Sequence, residues 1–180
     1  MTFTDSVKTC FSKYVTFSGR ASRPEYWWFF LFVFIAGAVA NVVDYQFFST
    51  VTTVANETGS STQIVSNAPV GAMVSLVVFL PHLAVAWRRM HDTGRSGLFA
   101  LFPFLLTIGA GLVLFFGIGA ADAFSSGGSM DILFTRLTLL ILIPTIIVLI
   151  VSPLLVLWWL TRPSQPGENK YGPNPHEALQ

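Results

Sequence analysis

The sequence predicts an all-α membrane protein: four transmembrane helices, an N-terminal amphipathic helix and a short cytoplasmic tail, in a single membrane domain over residues 1–180. Three observations lead there. Hydrophobic residues make up 53% of the chain and charged residues 11%, well under the ~25% charged usual in globular proteins. The apolar residues gather in four continuous runs, each near the ~20 residues that a spanning helix needs. Lys and Arg concentrate in alternate connections between those runs, the pattern that orients membrane helices.

The runs cover 26–43, 70–87, 98–121 and 137–160. They are continuously apolar rather than alternating, which argues against barrel strands. A helix of ~18 residues rises only about 27 Å, just short of the hydrocarbon core, so the first two helices are expected to run past these limits. Small residues four apart, Ala36 with Ala40 and Gly117 with Ala121, suit close helix packing.

Lys8, Lys13, Arg20 and Arg23 precede the first run; Arg88, Arg89 and Arg95 follow the second; Arg162 and Lys170 lie in the tail. The connections 44–69 and 122–131 hold no Lys or Arg. This places the N terminus, the middle turn and the C terminus in the cytoplasm. Arg136 is the exception, expected to snorkel outward toward Asp131 or Asp122. Trp27, Trp28, Trp87, Trp158 and Trp159 all fall at the same inferred interface, the level indole prefers. Residues 1–25 lack the apolar core of a signal peptide, so the first span is expected to act as the insertion signal.

Phe3, Val7, Cys10, Phe11 and Tyr14 recur at helical spacing. That suits an amphipathic helix on the inner membrane surface or a packing helix of a small cytoplasmic cap. The connection 44–69, rich in Ser, Thr and Asn, reads as a mobile loop or a partly helical extension, and Asn56-Glu57-Thr58 matches a glycosylation triplet. The second helix is expected to continue through Asp92 and stop at Gly94, with Ser96 capping the next. So short a turn makes the second and third helices antiparallel neighbours.

A net charge of +1 provides no field for nucleic acid. The single Cys10 excludes an internal disulfide and a cysteine zinc cage. Chemistry-bearing residues collect in three clusters, 17–28, 88–97 and 167–175, all on the inferred cytoplasmic side. Each has a structural explanation. Ser22 and Glu25 have capping-box spacing, with Pro24 in the first turn. Arg88, Arg89 and His91 sit at a helix C terminus, where cations offset the macrodipole. Pro and Gly make the tail rich in turns.

Asp92 is harder to explain that way, because an acid at a helix C terminus is electrostatically misplaced. It needs a cation, and Arg88, Arg89, Arg20 and Arg23 are the candidates. A paired Asp92 holds an Arg fork rigid, and a rigid fork at a membrane surface suits a phosphate. The candidate binding residues are therefore Arg20, Arg23, Glu25, Arg88, Arg89, His91, Asp92, Arg95 and Lys170. Their expected ligands are membrane lipids, anionic phospholipid among them, or a membrane-protein partner or second copy of the chain.

No catalytic residue, metal site or cofactor is expected. His91 and Asp92 are adjacent on a helix and point about 100° apart, so they are not a preformed acid–base pair. No HExxH, CxxC, GxSxG or P-loop pattern occurs. His82, beside Pro81, is the one ionisable residue well inside a span, and an interhelical hydrogen bond is its expected role. The reading is a non-enzymatic membrane protein. Its alternatives are a small transporter or channel subunit, and a membrane enzyme acting on a phosphorylated lipid-linked substrate.

The three clusters also resemble a known family. Gly19-Arg20-Ala21-Ser22-Arg23 with its following aromatics resembles the opening motif of the domain of unknown function 805 family. Arg88-Arg89-Met90-His91-Asp92-Thr93-Gly94-Arg95-Ser96-Gly97 resembles the central motif, and Gly167-Glu168-Asn169-Lys170-Tyr171-Gly172-Pro173-Asn174-Pro175 the closing one. The likeness runs from about residue 11 to 175. It implies a small bacterial inner-membrane protein and implies no activity.

Overall fold

Ser22 opens the first long helix. Its Oγ accepts the Glu25 amide at 3.3 Å, and Pro24 occupies the first turn. A computed structural model describes residues 1–56, 59–124, 130–175 and 177. The chain order is α1 (Phe3–Ser12), α2 (Arg23–Phe48), β1 (Ser49–Asn56), β2 (Gly59–Ser66), α3 (Pro69–Asp92), a 3₁₀ turn (Gly97–Leu101), α4 (Phe102–Phe124) and α5 (Met130–Thr161).

All four apolar runs are helical. Among the described residues, Arg23–Phe48, Pro69–Asp92 and Leu142–Thr161 are each long and apolar enough to cross a membrane, and Gly97–Val113 is a shorter apolar helix. As expected, α2 and α3 overrun the first two limits. α3 ends at Asp92, and Gly94 takes the left-handed conformation (φ +76°) that follows many helix ends. Ser96 caps the 3₁₀ turn rather than α4 directly. That turn lies against α3, but α4 then packs along α5, while the long partner of α3 is α2. The expected α3–α4 pairing is thus confined to the turn, because the extra 3₁₀ segment carries the chain away before α4 begins.

The connection 44–69 is neither simple loop nor all helix. α2 continues to Phe48, and an antiparallel hairpin follows, pairing Ser49 with Ser66 and Asn56 with Gly59. In this register Thr50 pairs with Val65, Val51 with Ile64 and Thr53 with Thr62. Such β-branched residues favour strand over helix, and the fold is helical with one hairpin rather than strictly all-α. Glu57 and Thr58 of the Asn56 triplet lie outside the described residues. So do the side chains of Asp122, Asp131 and Arg136, and those of Gly117 and Ala121.

Asp44 holds the start of α3. The N-cap Ala68 offers no side-chain oxygen. The fully buried Asp44 carboxylate accepts the Val70 amide at 2.9 Å and the Gly71 amide at 2.7 Å instead. A negative charge against free helix-start amides satisfies both donors and the dipole.

α1 begins with a full capping box between Thr2 and Asp5. The Thr2 hydroxyl and amide hold the Asp5 carboxyl below its ordinary value. α1 packs on α2 and α3, with Ser6 and Cys10 buried and Phe11 edge-on to Phe29 and Phe32. Tyr14 lies just past its end and donates from its hydroxyl to the Val77 carbonyl at 2.6 Å. Pro81, four residues after Val77, has no N–H to give that carbonyl, so Tyr14 fills the gap left in the α3 ladder.

Candidate functional site

The three sequence clusters meet at one end of the helices, where α2 begins and α3 and α5 finish. At their centre is Asp92, fully buried. Its Oδ1 accepts from Arg20 Nε at 2.9 Å, and its Oδ2 accepts from Arg89 Nη1 and from the Ser164 hydroxyl at 2.5 Å. One carboxylate therefore serves two guanidinium groups and a hydroxyl, drawn from all three clusters or their borders.

Both arginines extend beyond Asp92. Arg89 donates from Nε to the Leu160 carbonyl at 3.1 Å and from Nη2 to the Arg162 carbonyl. Those are the last carbonyls of α5 and its exit, unpaired within the helix and at the negative end of its dipole. Arg20 donates to the carbonyls of Gln165 (2.6 Å), Gly167 (2.7 Å) and Gly172 (3.3 Å). It thereby pins the tail across the ends of α2 and α3. The Gln165 amide returns a 2.9 Å bond to the Asp92 carbonyl.

Arg88 takes a different partner from the one its spacing suggested. Lying four residues before Asp92, it was a candidate for that carboxylate; instead its Nη1 donates to Glu25 Oε1 at 2.6 Å. Arg89 and Arg20 already occupy the Asp92 oxygens, and Arg88 projects toward α1 and α2. Glu25 is drawn away in turn, so the expected capping box with Ser22 forms only its Ser22 half. The Arg88 carbonyl accepts the Ala21 amide at 3.1 Å. Burial pushes the neighbouring Cys10 thiol up to about 12, with Glu25 adding to the shift and Arg88 opposing it.

Relative exposure decides what these groups can bind. Arg88, Arg89 and Asp92 are exposed by 1%, 0% and 0%, and Arg20 by 8%. Three buried cations face two buried carboxylates; helix-end and tail carbonyls take up the other nitrogens of Arg20 and Arg89, while Arg88 Nε and Nη2 are buried without a partner among the described residues. The forks of Arg20 and Arg89 are occupied by protein, and that of Arg88 is buried. These four residues form an internal lock, in which removing one member of a buried pair costs about 3–5 kcal/mol.

His91 and Asp92 do not meet. His91 Nδ1 lies 3.0 Å from the Gly19 carbonyl, and its ring stacks on Tyr171 with centroids 3.7 Å apart and planes 3° off parallel. Asn169 Nδ2 donates to the His91 carbonyl at 3.0 Å. The opening and closing motifs thus clamp His91 from two sides. Among the described residues no group of His, Cys, Asp and Glu has the arrangement to hold a metal.

The other site candidates are peripheral. Arg23 is exposed at the start of α2 beside Pro24, Trp27 and Trp28, around a shallow depression of about 490 Å³. Arg95 lies 5.1 Å above the Trp159 ring, and Lys170 lies 4.9 Å above Tyr171. Sequence reading singled out neither Ser164 nor Gln165, which fall between motifs, nor Arg162 as a site residue; Arg162 lies 4.6 Å above Trp158.

Gly94 is dictated by its left-handed φ of +76° and Gly97 by close approach, since a Cβ there would come within 2.0 Å of the Trp87 indole. The turn is built so that the tail and Trp87 press directly on its backbone.

Residues 14–173 match the model of a protein family of unknown function, DUF805. Inner membrane protein YhaI of Escherichia coli strain K12 is 41% identical over 103 residues, covering 57% of this chain and 74% of that protein. Inner membrane protein YhaH of the same strain is 35% identical over 111 residues, covering 59% and 78%. No solved structure matches. With its apolar helices and these inner-membrane relatives, the chain is a transmembrane protein that belongs to the DUF805 family.

Proposed function

We propose that the chain is a non-enzymatic, four-span protein of the bacterial inner membrane, with both termini in the cytoplasm, whose cytoplasmic rim binds anionic lipid headgroups. One observation carries the reading. With Arg20 and Arg89 taken up by protein and Arg88 buried against Glu25, Arg23, Arg95, Arg162 and Lys170 remain at the same end without a carboxylate partner among the described residues. Three of them lie over aromatic rings at 4.6–5.1 Å, and Arg23 adjoins Trp27 and Trp28. Indoles favour the headgroup level, and cations there attract anionic lipid by about 1 kcal/mol each. The buried lock holds those cations in fixed register.

The four-span count draws support from α4, whose 23 residues are long enough to cross, and the orientation from the Lys and Arg distribution. A non-enzymatic role is supported by His91 and Asp92, whose side chains are committed to separate structural partners.

Native mass spectrometry tests the lipid reading directly. Phosphatidylglycerol should add to the detergent-solubilised protein in preference to phosphatidylcholine. The triple variant Arg23→Gln, Arg95→Gln, Arg162→Gln should lose that preference. Equal adducts from both lipids in the native protein would refute it. Lys170→Cys should react with an impermeant maleimide in inverted vesicles and not in intact spheroplasts; the reverse would overturn the orientation.

A further inference from the structure

A second feature lies away from the surface cations. Between α2, α3, the 3₁₀ turn, α4 and α5 is a cavity of about 240 Å³. Among the described residues its polar lining is Tyr26 and His82; the rest are apolar or aromatic, including Phe79 and Phe104, and none is charged. A dry cavity of ~150 Å³ already admits benzene, so this one admits a single substituted ring.

His82 is the anomaly. Its Nε2 is buried with no hydrogen-bond partner among the described residues. Among the described residues the interhelical bond expected of it does not form; its ring neighbours are Tyr26, Phe29 and Phe30 at 6.0, 6.4 and 6.0 Å. An unpartnered imidazole nitrogen inside apolar surroundings is costly, and an ionisable side chain within a membrane helix calls for a partner. His82 lines the cavity, and a neutral imidazole offers one donor and one acceptor nitrogen.

The way in defines the ligand further. Phe79, on a helix long and apolar enough to cross the membrane, and Phe104, on the shorter apolar helix, are 56% and 59% exposed. The mouth of the cavity therefore faces lipid, and an occupant arrives through the bilayer. The geometry points to a binding site for an uncharged, lipid-soluble, flat ring carrying a carbonyl or hydroxyl oxygen, the chemistry of a quinone or quinol, with His82 hydrogen-bonded to that oxygen. Flat aromatic walls favour a π-ring over a flexible chain, and a mainly apolar pocket with one or two polar groups is the usual form of a small-molecule site.

Decylubiquinone is the probe, with native mass spectrometry of the full chain in micelles as the readout. One molecule should add per protein. Ala100→Phe, which fills the cavity without removing a polar group, should abolish the adduct. His82→Leu should weaken it at least tenfold, and Gly109→Ala, whose added methyl meets nothing within 4 Å, should leave it unchanged. Decylbenzene, which has the ring but no oxygen, should bind at least tenfold more weakly. The proposal is overturned if no adduct forms, if Ala100→Phe retains it, if decylbenzene binds equally, or if equimolar phosphatidylcholine displaces the quinone and so identifies a lipid acyl chain as the occupant.

Discussion

The Tyr14 hydroxyl donates a 2.6 Å hydrogen bond to the Val77 carbonyl, joining the chain just past α1 to the interior of α3. Pro81 makes that carbonyl available, since the amide that would otherwise reach it is missing. Tyr14→Phe leaves the acceptor empty and is expected to cost about 1–3 kcal/mol in a reversible unfolding titration. In a Pro81→Ala background the helix can supply its own N–H, and the same change should cost clearly less. An equal loss in both backgrounds would sink the assignment.

Arg20 anchors the tail through three carbonyls and Asp92. Arg20→Gln should loosen residues 165–172 before it unfolds the helices. Trypsin should then cut after Lys170 more than tenfold faster, as expected when a segment opens locally. Asp92→Asn removes the negative centre from between two buried guanidinium groups and should lower global stability by about 3–5 kcal/mol. Tail proteolysis that stays at the wild-type rate in Arg20→Gln would contradict the pin.

Gly97→Ala places a methyl group in the Trp87 indole, 2.0 Å from Nε1. Overpacking of this kind costs about 1–3 kcal/mol, and the Trp87 ring must rotate away from Phe17, its edge-on neighbour at 5.5 Å. The expected result is a lower melting temperature together with a shifted tryptophan emission. Gly109→Ala, whose methyl meets nothing within 4 Å, should not lower the melting temperature or shift the emission.

Cys10 should resist alkylation. Its thiol is held at about 12 against an ordinary 9.0, chiefly by burial, and only the thiolate reacts. Maleimide labelling of the folded protein should be slow at pH 7.5 and stay slow at pH 9, while the unfolded chain labels quickly. The sign for stability follows: the thiol's contribution is complete below pH 9 and declines as pH rises from 9 toward 12, where only the unfolded chain ionises. Rapid labelling of the folded protein at pH 7.5 would show that Cys10 is not buried.

Much of the helical frame could be read because a hydrocarbon slab leaves a chain few options. The runs around 26–43 and 70–87 had to be helical, and the stop after Asp92 follows from Gly94. Asp92 itself was flagged as needing a cation, and it has two. The choice of cation was beyond reach. Arg20, Arg23, Arg88 and Arg89 all have long, flexible side chains, and segments some 70 residues apart decide which of them reaches Asp92. The same non-local packing explains why Glu25 leaves its capping box for Arg88 and why Asp44 caps a helix other than its own. His82 shows the converse: its helix position suggests a hydrogen bond, and among the described residues the rings packed around it leave Nε2 without one.

The pin between Arg20 and the tail also sets an order of events during synthesis. Arg20 leaves the ribosome 145 residues ahead of Gln165. Until the last segment emerges, its guanidinium lacks the three carbonyls that complete its shell, and Arg89 likewise lacks the end of α5. The end of the molecule that carries the motifs closes last, like a clasp. A chain stalled before residue 165 would hold inserted helices with an open, cation-rich terminus, a form that quality-control proteases can tell from the finished protein.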